Sequence, residues 1–433
     1  MHTRTQHERD AWIAAFDRSV RQGATQLSDF ETYAKLARGH FGTVQLVKHI
    51  RTGTALALKQ IEMRPQKPEK QFHERAILEL LQTGSAGPSP FVARLCFAFR
   101  DTTSLYLATE LASGGDLWAL LRKRKNLQEE TVTFIAGEVA LAIRHIHARG
   151  VLHRDIKLEN LLLDGLGHVK VVDFGLSKHL FKEGAGVWDG KTFTVCGTNY
   201  YMPPEMLKRD APGHGLAADW WQLGCLIYEL LVGTPVFYEK GAKAIHKKIL
   251  DSRGKNLFTS LSQPLSVPAM SIIEKLLVHD PQARLGHGVQ DGANDVLPHP
   301  FFRNTDFTLL AKRRLDTPEE IRAYLKGEKK KDEPEEYVID ELDALGQSKE
   351  DEDALVQRMF PESEVFSKPV RSVTRRPRSM PFRLSYTSNA GGVVDFGPYL
   401  GYEYAADDEA LGEARRGSGL ILSRWAVTSN ERL

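Results

Sequence analysis

The feature that most constrains this chain is a short window, His153-Arg154-Asp155-Ile156-Lys157-Leu158-Glu159-Asn160, followed thirteen residues after Asn160 by Asp173-Phe174-Gly175. It places a carboxylate, a lysine two residues on, an amide three further on and a second carboxylate at fixed spacing. Phosphoryl transfer needs an acceptor hydroxyl held in line and cations to offset charge on the phosphates. Asp155 can accept and orient the hydroxyl proton, and Lys157 can reach a γ-phosphate. Asn160 and Asp173 supply hard oxygen ligands suited to Mg²⁺. The competing reading, a polar loop with a type I turn at Asp173, leaves the joint spacing unexplained.

An earlier segment could hold the rest of a nucleotide. Leu36-Ala37-Arg38-Gly39-His40-Phe41-Gly42-Thr43-Val44 puts two glycines between strand-like runs, where backbone N–H groups can approach phosphates without a Cβ in the way. Alone, such a pair of glycines more often marks only a hairpin turn. Lys59 closes the apolar run Ala55-Leu56-Ala57-Leu58 and could hold α- and β-phosphates, or simply be a solvated strand-end lysine. Glu74, one turn before Leu78 on an expected helix, could fix Lys59 by an ion pair; by itself it would be surface charge.

Composition narrows the class. With 433 residues and a formal net charge of +2, the chain lacks the basic excess of a nucleic-acid binder. Its 42% apolar content allows a sizeable core. Cys96, Cys196 and Cys225 are far apart, giving neither a disulfide framework nor metal-ligand spacing, and suit a reducing compartment. The first ten residues are too polar for a signal peptide. The apolar run Trp220 to Tyr238 carries Gln222, Glu229, Gly233 and Pro235, which favours a buried helix over a membrane span and implies no integral membrane association.

Periodicity predicts strands at 33–36, 44–49, 54–60, 93–100 and 105–110, then helices at 70–82, 115–124, 128–149, 218–233 and 269–278. Residues 326–353 are crowded with Lys, Glu and Asp, and 367–383 with Ser, Pro and Arg; neither can bury enough apolar surface to fold alone.

These motifs together resemble the eukaryotic protein kinases over about residues 33–302. The resemblance implies an α+β, bilobal protein kinase fold. A small five-stranded antiparallel N-lobe with one main helix spans 33–110, and a larger mostly helical C-lobe spans 113–302. An N-terminal extension (1–32) precedes it and a C-terminal extension (303–433), partly disordered, follows. ATP and Mg²⁺ are the implied substrate and cofactor. The resemblance gives Val44, Ala57 and Leu162 the adenine, makes Thr109 the gatekeeper and Glu110 to Ala112 the hinge, and adds Asp116 to the nucleotide-binding set. Asp219 becomes the buried acid beneath the catalytic loop, and Glu205 pairs with Arg284. Two positions depart from the family pattern. Ala37 stands where glycine is usual, and Pro203-Pro204-Glu205 replaces Ala-Pro-Glu; neither removes a chemical group.

Lys157 and Thr198 mark the serine/threonine type. Asp173 to Lys178, Thr194 to Thr198, and His299-Pro300-Phe301-Phe302 with Asp306-Phe307 are similar to the AGC group, the relatives of cyclic-nucleotide-dependent kinases and protein kinase C. The Gly-His-Phe-Gly loop and Gly114 to Trp118 are similar to Rho-associated, myotonic-dystrophy and citron kinases. The resemblance implies several further roles. Thr194 is the activation-loop phosphorylation site, served by an upstream activating kinase, with Arg154, Lys178 and Lys70 able to pair with the phosphate. Asp116, Glu159 and Glu229 face Arg or Lys two or three residues upstream of the acceptor in protein substrates. Val195 and Met202 line an apolar pocket for the residue after it. Ser379 and Ser418 follow arginine clusters and are candidate phosphorylation sites. Phe396-Gly397-Pro398-Tyr399, with Tyr402 beyond, is a candidate for docking on the small lobe. The expected location is the cytoplasm, with nuclear entry left open by the basic run 368–383. A scaffold that keeps the fold without catalysis is the alternative, but such chains commonly lose Lys59, Asp155 or Asp173.

Overall fold

The computed structural model describes residues 25–39, 42–63, 68–83, 87–180, 190–208, 213–252, 257–259, 261, 264–287 and 292–327. It also gives the backbone of 385–387, 393–395 and 404–405. His40, Phe41, Ser379, Ser418, the Phe396–Tyr399 cluster and Tyr402 lie outside the described residues, as do the side chains of Arg38 and Lys70. The chain divides into two compact units, 1–88 with 94–111 and 336–433, and 89–93 with 112–335. The division is consistent with the expected bilobal fold.

The smaller unit is built on an antiparallel sheet of β1 (Phe30–Gly39), β2 (Gly42–His49), β3 (Ala55–Glu62), β4 (Leu95–Arg100) and β5 (Ser104–Glu110). The strand order is β1-β2-β3-β5-β4, so the two hairpin-joined halves meet at β3 and β5. β3 shows why it forms: Leu56 and Leu58 are fully buried on one face, while Ala55, Ala57 and Lys59 are half-buried on the other. Gly42 turns the β1–β2 hairpin at φ 134°, and a Cβ there would lie 2.1 Å from the Gln60 carbonyl oxygen. No other residue fits. Helix α1 (Pro68–Gln82) buries Ile77, Leu78 and Leu81. Phe30, Phe97, Phe99 and Tyr106 form an aromatic cluster on the sheet. The expected five strands are joined by a sixth. β12 (Tyr404–Ala405), from the C-terminal extension, pairs antiparallel with β4 through Tyr404↔Ala98 and Ala405↔Phe97. A sheet edge offers unpaired backbone groups to any extended segment, a pairing that side-chain periodicity does not announce. β10 (Ser385–Thr387) and β11 (Val393–Asp395) pair with each other.

The larger unit is helical. Its described helices are α2 (Leu117–Arg124), α3 (Glu129–His147), α4 (Pro204–Leu207), α5 (Ala217–Val232), α6 (Ala242–Ser252), α7 (Val267–Leu276), α8 (Ala293–Val296), α9 (Phe307–Ala311) and α10 (Glu319–Leu325). α5 is buried nearly all round, as expected for a helix apolar on every face inside a large core. It ends at Gly233 (φ 89°), where a Cβ would meet the Lys125 carbonyl oxygen at 2.0 Å. Among the described residues no helix is long and apolar enough to cross a membrane. Short two- and three-residue strands frame the loops that matter. β6 (Val151–Leu152) pairs with β9 (Lys178–His179), and β7 (Leu161–Leu163) with β8 (Val169–Val171).

Order does not stop at 302. Arg313 pairs with Asp164, and Thr317 Oγ1 donates to the Leu166 carbonyl at 2.8 Å. Glu320 accepts from the Gln128 amide at 3.1 Å. Residues 303–327 therefore take part in the larger unit's packing.

Candidate active site

The smaller unit places the expected phosphate-holding pair. Lys59 lies on β3 beside Val44 on β2, and its Nζ donates to both carboxylate oxygens of Glu74, at 2.8 and 2.9 Å. Glu74 is buried on α1. A bidentate, largely desolvated pair of this kind fixes the ammonium in place rather than merely neutralising it. Ala57 faces Thr109 across the β3–β5 ladder, and Thr109 Oγ1 lies 3.5 Å from the Ala57 carbonyl oxygen. Leu36 and Ala37 lie on β1, and Gly39 pairs with Gly42 at the hairpin. Glu110 is paired with Arg94 at 3.6 Å. Ala112 and Leu162 belong to the larger unit, where Leu162 bridges to Asp116.

The catalytic loop of the larger unit, which follows β6, is held from below by α5. Asp219, fully buried, accepts from the backbone amides of Arg154 (Oδ1) and His153 (Oδ2), each at 2.9 Å, and from His147 Nε2 at 2.7 Å. Burial alone would raise its pKa. These donors, His147 foremost, hold it below the ordinary carboxylate value. One helical turn on, Gln222 accepts from the Ile156 amide at 2.9 Å and donates to the Arg154 carbonyl at 2.8 Å. Two polar side chains three apart on an apolar helix thus bind four backbone groups of one loop, three amides and one carbonyl. That support lets Arg154 adopt φ 72°, a left-handed conformation an L residue otherwise avoids.

His153 is fully buried, and desolvation keeps its imidazole neutral despite three nearby carboxylates. Its Nε2–H donates to the Val172 carbonyl (3.2 Å), leaving Nδ1 to accept from the Asp155 amide (3.3 Å). Its ring meets Phe174 edge-on at 4.9 Å.

Asp155 sits at the centre. Oδ1 accepts from the Thr198 amide (3.1 Å) and hydroxyl (2.9 Å), and Oδ2 from Asn160 Nδ2 (2.9 Å) and Lys157 Nζ (3.0 Å). Lys157 also donates to Thr198 Oγ1 at 2.8 Å. Because the Asn160 amide nitrogen is committed to Asp155, its oxygen is the atom left for other partners. Asp173 takes φ 59°, and its Oδ1 accepts from the Gly175 amide at 3.3 Å. One amide oxygen and one carboxylate fit Mg²⁺, which is usually held by one or two carboxylates together with substrate phosphates.

Glu205 on α4 pairs with Arg284 bidentately at 2.7 and 2.8 Å; Arg284 also donates to the Val278 and Ala217 carbonyls. The Glu205–Arg284 pair and the contacts of Asp219 with the loop are thus both present.

The three acids expected to face a substrate are placed differently from Asp219 and Glu205. Asp116 caps α2, accepting from the Ala119 amide at 2.7 Å, and burial pushes its carboxyl up to about 6 with help from Glu159. Glu229 accepts from the Tyr201 hydroxyl, and burial raises it to about 7 with Glu159 adding to the shift. Glu159 is also raised, by desolvation first, with Lys157 opposing. Among the described residues none of the three makes an ion pair with a basic side chain. Val195 is 58% exposed and Met202 is buried. Thr194 and Lys178 are exposed.

Reading the sequence missed Gln222 and His147 as loop supports. Gln222 carried a signal, a polar residue three after Asp219 in an apolar run. His147 carried none, since one histidine on a helix has no spacing partner.

Comparison with known proteins agrees with this geometry. The family described as protein kinase domain matches residues 30–302. The cAMP-dependent protein kinase catalytic subunit PRKX of Homo sapiens is 35% identical over 296 residues, 67% of this chain and 76% of that protein. The cAMP-dependent protein kinase catalytic subunit of Dictyostelium discoideum is 35% identical over 299 residues, 68% of this chain and 42% of that protein. Ribosomal protein S6 kinase beta of Caenorhabditis elegans is 38% identical over 298 residues, 67% of this chain and 51% of that protein. The chain therefore spans about three quarters of the first relative and about half or less of the other two.

Proposed function

The chain belongs to the protein kinase family, as a serine/threonine protein kinase of the AGC group, and we propose that it transfers the γ-phosphoryl group of ATP to Ser or Thr hydroxyls two or three residues after Arg or Lys. Family members generally use ATP and Mg²⁺. The observation that carries the specificity is the trio Asp116, Glu159 and Glu229. Their pKa values are raised, chiefly by desolvation, which Arg122 near Asp116 and Lys157 near Glu159 offset only in part. A guanidinium from a substrate would relieve that cost.

The chemistry follows from the loop. Mg²⁺, held by Asn160 and Asp173 when bound, supplies charge neutralisation for the phosphates. Asp155 has about four lone-pair sites, and four donors fill them. A substrate hydroxyl can bind Asp155 only when one donor leaves. Lys157 is the donor free to do so, because its flexible stem can carry the ammonium to a γ-phosphate. Phosphate binding by Lys157 and hydroxyl binding by Asp155 are thus one exchange. The hydroxyl proton passes to Asp155 as the new P–O bond forms and the bond from the γ-phosphorus to the β–γ bridging oxygen breaks, releasing ADP. In the smaller unit, Lys59, fixed by Glu74, holds the α- and β-phosphates.

Thr194 is the regulatory position of this reading, an exposed hydroxyl open to an upstream kinase. Arg154 Nη1, buried and without a hydrogen-bond partner among the described residues, suits a phosphate there.

The test is transfer of labelled phosphate from ATP to a degenerate peptide library, wild type beside Asp155→Ala. Incorporation confined to wild type, with Arg or Lys enriched two or three residues upstream, is expected. A profile dominated by proline or acidic residues removes the basophilic reading, and equal incorporation by the variant removes the role of Asp155. The scaffold alternative has no structural observation in its favour.

A further inference from the structure

Two buried side-chain nitrogens near the catalytic loop lack hydrogen-bond partners among the described residues: Arg154 Nη1 and His214 Nε2. Their residues are 7% and 3% exposed. A buried polar group without a partner is unfavourable by about 1–3 kcal/mol and calls for an explanation. Arg154 spends Nε on the Leu176 carbonyl (2.6 Å) and Nη2 on the Ser177 carbonyl (3.4 Å), so only Nη1 is left over.

The two residues hold opposite ends of one segment. His214 exchanges both backbone hydrogen bonds with Thr192, at 2.9 and 3.0 Å, which pins the chain two residues before Thr194. At the other end, Gly197 lies so close to Arg154 that a Cβ would stand 2.7 Å from its carbonyl oxygen, and Cys196 interacts electrostatically with the guanidinium. Thr192 is buried while Phe193, Thr194 and Val195 are exposed. Thr194 is therefore carried on a short arch whose feet rest on His214 and Arg154.

We infer that His214 is a second anchor, beside Arg154, for a phosphate on Thr194. This rests on the proposal that Thr194 is phosphorylated. That reaction forms a bond from phosphorus to Thr194 Oγ1, breaks the bond from the γ-phosphorus to the β–γ bridging oxygen of ATP, and releases ADP and the hydroxyl proton. The phosphate brings about −1.5 to −2 charge and three acceptor oxygens. His214 Nε2 then takes a proton from solvent and donates to one of them. Without phosphate the imidazole is held neutral. Burial lowers its pKa to about 4, with the Arg154 charge adding to that and Glu205 and Asp219 opposing it. Neither acid is available as its partner, since Glu205 gives both oxygens to Arg284 and Asp219 gives both to the catalytic loop and His147. Phosphate is thus the one group in this account that both satisfies Nε2 and pays for its charge.

The experiment uses the full chain, labelled at histidine and prepared both phosphatase-treated and fully phosphorylated at Thr194 as checked by mass spectrometry. His214 is assigned by loss of its resonance in His214→Gln. The imidazole midpoint is expected near about 4 in the dephosphorylated protein and higher by about 1–3 units in the phosphorylated one. In parallel, the ³¹P midpoint of phosphothreonine is expected below its usual value of about 6 in wild type, and higher in both His214→Gln and His214→Asn. An imidazole midpoint that does not move on phosphorylation, or a ³¹P midpoint that is the same in wild type and both variants, overturns the inference. Full activity of Thr194→Ala would instead remove the proposal on which it rests, so the two failures are separable.

Discussion

Asp219 and Glu229 stand ten residues apart on α5, nearly sealed from solvent at 0% and 8% exposure, yet their surroundings differ in kind. Asp219 is met by two backbone amides and an imidazole, and its carboxyl is held below the ordinary value. Glu229 is met by one tyrosine hydroxyl and a like charge, and its carboxyl is pushed up to about 7. Burial is common to both, so burial is not what sorts them; donors are. A buried acid satisfied by its own chain is framework, because removing it strands its donors. On the proposed reading, a buried acid left short of donors is a place for a cation from outside, which would offset its charge. Asp116 shares the raised carboxyl of Glu229 although it accepts from the Ala119 amide, and Glu205 falls with Asp219. Asp155 lies between, saturated by four donors of which one can leave.

The largest expected effect is on the framework side. Asp219→Ala strands the amides of His153 and Arg154 and the His147 ring, and should lower unfolding free energy by about 3–5 kcal/mol in urea titrations. Glu229→Gln keeps a partner for Tyr201 and should change it by under about 1 kcal/mol. Equal losses in the two variants would erase the distinction. Next, Asp155→Asn should keep the shape of the loop and lower kcat by about 10²–10⁴-fold. A fall confined to KM would mean that Asp155 only positions substrate. Third, Asp116→Asn with Glu229→Gln should raise KM for an arginine-bearing peptide by about 10- to 100-fold, leaving kcat near wild type. The same KM rise with a peptide lacking basic residues would show a general disturbance of the groove. Smallest, Lys59→Met leaves the buried Glu74 carboxylate without its ammonium and should cost about 1–3 kcal/mol of stability, while weakening nucleotide use. Matched thermal melts and initial rates would show it.

Much of this was legible because the chemistry is local in sequence. Asp155, Lys157, Asn160 and Asp173 announce themselves by spacing, and the strands of the smaller unit by a period of two. β3 is the clear case, its buried Leu56 and Leu58 alternating with half-buried Ala57 and Lys59. What was not legible depends on distant partners. Arg313 finds Asp164 and Thr317 finds the Leu166 carbonyl across about 150 positions of chain. No periodicity signals those contacts, so the ordered segment 303–327 reads from sequence as an extension. β12 is similar: two residues cannot show an alternation, and their pairing is with backbone. His214 was silent for the same reason, a single histidine whose meaning comes from Thr192 and Arg154 around it. The tension at Glu229 was also invisible, because a sequence shows an acid but not its missing donors.

The most direct test of the central claim is the ratio of kcat/KM for a peptide with arginine three residues before the acceptor to that for its alanine counterpart, measured from about pH 8 down to about pH 5.5. Protonation removes the charge that arginine needs, so the ratio should be largest at the alkaline end. It should fall through the region of about 7 and about 6 set by Glu229 and Asp116. A preference for arginine that stays constant over that range, or no preference at any pH, would contradict the view that these under-satisfied acids are the seats for substrate cations.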